Sequence, residues 1–218
     1  MKSSLQNRPL TTEKPAMGIF LPSSVTTISR TLILDPPMTD MELEKTCRDN
    51  ELVWFERGRD GTIYMSPLPG RGISSMNAAV NGELRNWAMC RPKALTLMNA
   101  GFFLRDGSML GARSAYIDPA TRKDLSKAEL TGFPRLCPDF VIELLPASDT
   151  LPQFKQKMQR WIENGAQLGW LVDPYTHLVH VYEPGKEAIA VAGSSAAGTG
   201  PVEGFVLDLD EVWRCYET

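Results

Sequence analysis

The stretch Pro138-Asp-Phe-Val-Ile-Glu-Leu-Leu145 decides the fold. Its apolar residues occupy both alternating sets of strand positions, which is typical of a strand buried on both faces. Later in the sequence, Thr150-Leu-Pro-Gln153 has the form of a capping box, and apolar residues then recur at helical spacing as far as Gly165. A second apolar strand follows over Leu168–Val172. This order of strand, helix and strand predicts an α/β protein with a mixed sheet flanked by helices.

The segment upstream continues the same kind of pattern. A capping box at Thr39 opens a short helix that runs to about Asp49. Glu51–Phe55 and Thr62–Met65 are apolar runs around an Asp-Gly turn, which predicts an antiparallel hairpin. Apolar residues from Ile73 to Trp87 then recur at spacings of three and four, which predicts a long amphipathic helix.

The remaining elements are shorter. Ala94–Met98, Met109–Ile117 and Leu178–Tyr182 are predicted strands. Residues 118–138 are polar and predict mostly loop with one helical turn, and the Gly/Ala/Ser tract Ala192–Gly200 predicts a loop.

Composition limits the class of protein. The 218 residues are 43% hydrophobic and 22% charged, which is usual for a water-soluble globular protein. We expect a poorly ordered arm over residues 1–35 and a folded domain over 36–218. No apolar run has the length of a membrane span, and the N-terminal run has no apolar core of a signal peptide. We therefore expect a cytoplasmic protein with no membrane partner.

The charges exclude a uniformly basic nucleic-acid coat protein, because the net charge is −3. Between Arg85 and Arg160, however, twelve Lys and Arg residues face seven Asp and Glu residues. One basic face for a polyanion is compatible with this excess, and so is an ordinary mixed surface. The four cysteines are far apart and form no C-x-x-C pair, so packed free thiols are favoured over a structural zinc site.

Glu143 is the most conspicuous candidate site residue. It lies in the middle of the predicted central strand, where burying a carboxylate without a partner costs on the order of several kcal/mol. It needs a cation, a metal ion or a raised pKa. Lys157 and Lys155 flank the apolar face of the next helix on its two sides, and spacing does not choose between them. Asp139 has the same strand parity, but its place at the strand entrance favours a capping role.

No motif indicates a nucleotide-binding loop or a serine-hydrolase elbow, since G-x-x-x-x-G-K-[ST], G-x-G-x-x-G and G-x-S-x-G are absent from the sequence. A resemblance to a known family adds more. The resemblance covers residues 36–213 and depends on the order and spacing of several segments. These segments are Tyr64-Met-Ser-Pro67, the following long helix, Phe102-Phe-Leu-Arg-Asp-Gly-Ser108, Pro138-Asp-Phe-Val-Ile-Glu-Leu144, Ser148-Asp149, Lys157-Met-Gln-Arg-Trp161, Gly165 and Gly169-Trp-Leu-Val-Asp-Pro174.

These segments resemble the Uma-type putative restriction endonucleases of bacteria, within the PD-(D/E)xK nuclease superfamily. The resemblance implies a restriction-endonuclease-like mixed sheet and Mg²⁺-assisted hydrolysis of phosphodiesters in DNA. In that scheme an Asp and a Glu hold the cation, and a Lys positions the attacking water. Glu143 matches the metal-binding Glu, and the family pattern selects Lys157 over Lys155.

The sequence departs from the family at the Asp. Ala112-Arg113 stands where the pattern has Pro-Asp, so a guanidinium replaces a metal ligand. We expect Arg113 to pair with Glu143 from a neighbouring strand and Mg²⁺ binding to be impaired. Asp118 and Glu56 are the alternative metal ligands.

Three hypotheses follow. The first is a nuclease fold with a lost metal site that serves as a nucleic-acid or protein binding module. The second is a working Mg²⁺ endonuclease with a migrated carboxylate, and the third is an unrelated structural or interaction protein. DNA as the partner and a homodimer as the assembly are compatible with the first two.

Overall fold

The computed structural model describes residues 30–123, 125–126, 129, 132–147 and 149–217. Helices in these ranges are α1 (Asp40–Asp49), α2 (Arg71–Ala88), α3 (Pro119–Arg122), α4 (Leu151–Asn164) and α5 (Leu209–Glu217). The strands are β1 (Arg30–Leu32), β2 (Val53–Arg57), β3 (Ile63–Pro67), β4 (Leu95–Phe103), β5 (Met109–Ile117), β6 (Phe140–Leu144), β7 (Leu168–Asp173), β8 (Leu178–Tyr182), β9 (Ile189–Val191), β10 (Ser195–Ala197) and β11 (Val206–Asp208).

A nine-stranded sheet forms the centre of the fold. Its order is β1-β3-β2-β5-β6-β7-β8-β9, and β4 pairs with β5 outside that path. The β6–β7 pair is parallel and the other pairs are antiparallel. The parallel pair is joined by α4, as the βαβ pattern around Thr150 predicts. The predicted mixed α/β sheet with flanking helices is thus confirmed.

Strand β6 is central because both of its faces are covered. Ile142 belongs to an apolar cluster with α2 and α5, whereas Val141 belongs to a second cluster with α4. All five residues of β6 are buried. Helices therefore lie against both faces of the sheet, which explains why β6 has an apolar residue at nearly every position.

The sheet forks beside β5, where β2 and β6 diverge along one edge of that strand. Along one edge β5 pairs with β4 over nearly its whole length. Its other edge pairs with β2 only at Arg57–Met109 and with β6 from Ser114–Ile142 onward. Between these two points, residues 110–113 of β5 have no strand partner on that edge among the described residues. The fork opens a gap in the sheet that side chains must fill.

At the end of the expected poorly ordered arm over 1–35, Arg30–Leu32 form a strand paired with β3, and residues 1–29 lie outside the described part of the chain. Two predictions of local structure need correction. The tract Ala192–Gly200 contains strand β10, whose partner is β11. The strand predicted over Ala94–Met98 extends to Phe103 because β5 pairs along its full length. In the described ranges, none of the helices has the length and apolar character needed to cross a membrane.

Candidate active site

Lys157 lies at the centre of the fork. Its side chain is 9% exposed, and its Nζ donates to Glu56 Oε1 at 2.7 Å and to Glu143 Oε1 at 2.8 Å. A third bond runs from Nζ to the backbone oxygen of Gly111 at 2.7 Å. An ammonium group has three N–H bonds, so these three oxygens use all of its donors.

Local sequence places this lysine. The capping box at Thr150 starts α4 directly after β6. Met158 and Trp161 belong to the apolar face of α4 and are buried. Lys157 precedes Met158 on the edge of that face and points back toward the sheet, whereas Lys155 is exposed. Tertiary packing thus chooses between the two lysines that spacing alone leaves equivalent.

Glu143 is the most deeply buried carboxylate of the fork, at 1% exposure. Its Oε1 accepts a hydrogen bond from Trp161 Nε1 at 3.1 Å in addition to the one from Lys157. Its Oε2 has no hydrogen-bond partner among the described residues. One oxygen is therefore held by two donors, and the other is buried without one.

Glu56 reaches the same ammonium from β2, on the other branch of the fork. Its Oε1 accepts from the backbone N–H of Gly111 at 2.8 Å and from Trp54 Nε1 at 3.4 Å. Glu56 and Lys157 together satisfy the N–H and C=O of Gly111, which face the gap between β2 and β6. These two side chains replace the missing strand partner of β5.

The ionisation of the cluster follows from burial and charge. Burial raises the pKa of Glu143 above its ordinary value, although the Lys157 ammonium opposes that shift. Burial also acts to raise the pKa of Glu56, but Lys157 and the donor at Gly111 outweigh it and hold that pKa below its ordinary value. For Lys157, burial acts to lower the pKa, and the two carboxylates more than reverse this effect, so the pKa is raised. The lysine therefore carries its charge at neutral pH.

Arg113 lies on β5, the strand next to β6, and is 7% exposed. Its guanidinium stacks over the Trp54 ring at 4.4 Å and donates to Asn99 Oδ1 at 3.4 Å. The ion pair expected between Arg113 and Glu143 does not form. Lys157 binds Oε1 of Glu143, and the guanidinium of Arg113 packs on the indole ring of Trp54 instead. Burial raises the pKa of Glu143, and the charge of Arg113 opposes that shift to a small extent.

The two other carboxylates singled out by the sequence lie elsewhere. Asp118 follows the far end of β5, about 16 Å from Arg113 at the usual rise per strand residue, and caps α3 through Ala120 N. Asp139 accepts bonds from the backbone N–H of Asp118, from Thr121 and from Gln167. Of the two alternative ligands, the structure thus brings only Glu56 to Glu143.

Sequence reasoning missed the parts of the site that surround Glu56. Gly111 is required because a Cβ there would lie 2.3 Å from the Trp54 ring. Trp54 has no unusual spacing that would distinguish it from a core residue. Its role depends on the departure of β2 from β5, which local patterns do not encode.

Comparisons with known proteins show the family and the fold of this chain. The family model described as "Putative restriction endonuclease" (Uma2) matches residues 40–209. The chain belongs to the Uma2 family. Among solved structures, it is similar to a crystal structure described as a putative nuclease belonging to DUF820 from Anabaena variabilis. That match has a TM-score of 0.64 and 18% identity and covers 74% of this chain and 90% of that one. A search of curated proteins found no match.

Restriction endonucleases typically use a divalent metal ion, so the fit of the Uma2 site to Mg²⁺ can be tested on its donors. Mg²⁺ requires near-octahedral oxygen coordination at about 2.0–2.1 Å. Here three oxygens already bind Lys157 Nζ, and Arg113 stands where the resemblance described above implies an Asp. Among the carboxylate oxygens of the described residues, Glu143 Oε2 is the one that is buried without a hydrogen-bond partner, and these residues contain no group of three His, Cys, Asp or Glu side chains suited to a metal. The donor set does not fit Mg²⁺.

Proposed function

We propose that this Uma2 protein binds nucleic acid in a surface cleft lined by Glu56, Arg113 and Lys157, and that it is impaired in Mg²⁺-dependent hydrolysis of phosphodiesters. The observation that carries the proposal is the position of Lys157 Nζ. Three oxygens surround it at 2.7–2.8 Å, so the ammonium takes the place that a divalent cation would need.

The charge balance supports this proposal. Glu56 and Glu143 provide two negative charges when ionised, and Lys157 and Arg113 provide two positive charges. The cluster is neutral without a metal ion, and Mg²⁺ would leave two uncompensated positive charges in a buried site. With Asp at position 113 the same cluster would carry a charge of −2, which a divalent cation would balance.

The hydrogen bonds of Lys157 support it in a second way. A lysine that activates or orients water needs a free donor or a free lone pair. Lys157 is charged, and its three donors already bind Glu56, Glu143 and Gly111. Lys157 would therefore neither donate a hydrogen bond to a water molecule at the phosphate nor accept a proton from it. Arg113 retains most of its five donors and supplies the positive charge that a phosphate would meet.

The test is a plasmid-cleavage assay combined with calorimetric titration of Mn²⁺ and Mg²⁺. We expect wild-type protein to bind either ion poorly and to leave supercoiled DNA intact. Arg113→Asp should gain metal binding that depends on Glu143. Arg160→Asp is the matched control, because it makes the same charge change in the same cleft without restoring the family's ligand.

Two outcomes would contradict the proposal. One is Mg²⁺-dependent cleavage by the wild type that Glu143→Gln abolishes. This result would establish a working nuclease in which Glu56 serves as the second ligand. The other is complete absence of nucleic-acid binding at low salt, where phosphate contacts are strongest.

A further inference from the structure

A cleft of about 780 Å³ opens from the fork to the surface. Its wall contains residues from β2, β3 and β5, the start of α2, the middle of α4, the turn after β7 and the end of α5. Its charged lining residues are Glu56, Arg71, Arg113, Asp149, Lys157 and Arg160. Glu56 and the adjacent Glu143 balance Lys157 and Arg113, so Arg71 and Arg160 against Asp149 leave an excess of one positive charge, although the chain as a whole has a net charge of −3. The cleft is complementary to a polyanion.

Two of these cations are available to a ligand. Among the described residues no close ion pair holds Arg71 or Arg160. The charge of Arg160 acts at longer range on Asp60, whose pKa is lowered mainly by hydrogen bonds from Thr62. Arg71 lies in the first turn of α2, an 18-residue helix with Gly70 at its N-cap and no acidic residue in that turn. The cap has no side-chain hydrogen bond, so backbone N–H groups add to the positive potential there.

Aromatic rings form a second part of the lining. Tyr175, in the turn after β7, is 49% exposed and meets Tyr216 edge to face at 5.9 Å between ring centroids. Tyr216 rests against the first turn of α2, because Gly72 has no Cβ and an added one would lie 3.0 Å from its ring. Tyr64, on β3, is 38% exposed in the same cleft. Exposed rings beside free arginines are the combination that binds unpaired bases and their phosphates.

The shape of the site favours an unpaired strand over a duplex. A protein reads duplex DNA by inserting a protruding helix or ribbon into a groove. This site is concave, and its volume lies within the range of about 300–1,000 Å³ that holds small ligands. Such a cleft can enclose one or a few splayed nucleotides, and the faces of bases are free to stack on aromatic side chains when the bases are unpaired.

We propose that the cleft binds single-stranded nucleic acid, with bases stacked on Tyr175 and Tyr64 and phosphates held by Arg71, Arg160 and Arg113. This inference rests on the proposed function, that the cleft binds nucleic acid, and specifies its substrate class. Arg113 binds the phosphate at the inner end of the nucleic-acid strand, since its buried guanidinium lacks a carboxylate partner among the described residues.

Fluorescence anisotropy with the full chain tests the inference. The probes are labelled oligo(dT) and oligo(U) of about 12 nucleotides, which is within the range of single-strand site sizes, and the dT·dA duplex of equal length. We expect at least one single strand to bind tenfold or more tighter than the duplex. Tyr175→Ala should weaken that binding about tenfold, as expected for the loss of one stacked base, and Tyr175→Phe should retain it.

Arg71 has a matched control on its own helix. Arg85 is exposed near the other end of α2, about 21 Å away at the helical rise per residue. Arg71→Ala should reduce the slope of log affinity against log salt by about one phosphate contact, and Arg85→Ala should leave it unchanged. Thermal melting verifies that each variant is folded before it is compared.

The outcomes separate the two proposals. Equal or tighter binding of the duplex, or unchanged single-strand binding by Tyr175→Ala, would overturn the single-strand assignment and leave nucleic-acid binding intact. No binding of any probe at low salt would overturn both. Single-strand binding that Tyr175→Ala weakens, together with intact plasmid in the cleavage assay, supports both.

Discussion

Replacing Lys157 with Met should destabilise the protein strongly and in a pH-dependent way. Methionine has a similar length but no charge, so Glu56 and Glu143 would face each other without a cation, and Gly111 O would lose its donor. Breaking a buried ion pair by removing one partner costs about 3–5 kcal/mol. At about 2–4 °C per kcal/mol for a chain of this size, the melting temperature should fall by about 10 °C at pH 8.

The sign of the pH dependence follows from the carboxylates. Without Lys157 both carboxyl groups have folded-state pKa values above their unfolded values, because burial and mutual repulsion disfavour their charges. A raised folded pKa gives stability that is present below the unfolded pKa and is lost as pH rises through the folded pKa. The deficit of the variant relative to wild type should therefore be largest at pH 8 and smaller at pH 5, because lowering the pH moves the carboxyl groups toward their protonated forms.

Urea unfolding at both pH values measures the effect, with Lys155→Met as the control. Lys155 is on the same helix and is exposed, so its loss removes an equal charge without leaving a buried carboxylate unpaired. A cost of less than about 1 kcal/mol for Lys157→Met, the range of a surface ion pair, would refute the buried cluster. So would an equal deficit at pH 5 and pH 8.

Three further changes have defined outcomes. Gly111→Ala should lower stability by about 1–3 kcal/mol, measured by urea unfolding, because the new methyl group would overlap the Trp54 ring; a neutral result would mean that β2 can move aside. Trp161→Phe removes the N–H donor of Glu143 and should cost about 1–3 kcal/mol at pH 7, with a smaller loss in acid if that carboxylate is the cause. Thr39→Ala removes the N-cap hydroxyl of α1 and should cost about 1 kcal/mol in thermal melts, and substitution by Ser should recover most of it.

The sequence by itself determined the sheet-and-helix order of this protein. The capping boxes at Thr39 and Thr150 and the doubly apolar strand around Glu143 are local patterns, and local patterns fix where elements begin and which faces they bury. They also identified Glu143 as a buried carboxylate that needs a partner. The family resemblance then selected Lys157 over Lys155 as the catalytic lysine, and it marked Arg113 as the departure from the nuclease pattern and as the expected partner of Glu143.

Only the tertiary structure decided how these charges pair. The sequence predicted an ion pair between Arg113 and Glu143, but the fork between β2 and β6 brings Glu56 to the same ammonium and gives the guanidinium an indole ring instead. This outcome depends on the point where β2 leaves β5, fixed by the single pair Arg57–Met109. Strand divergence results from twist and long-range packing, which no window of neighbouring residues records. A residue's chemistry is written in the sequence, but its partner is set by the strands that meet there.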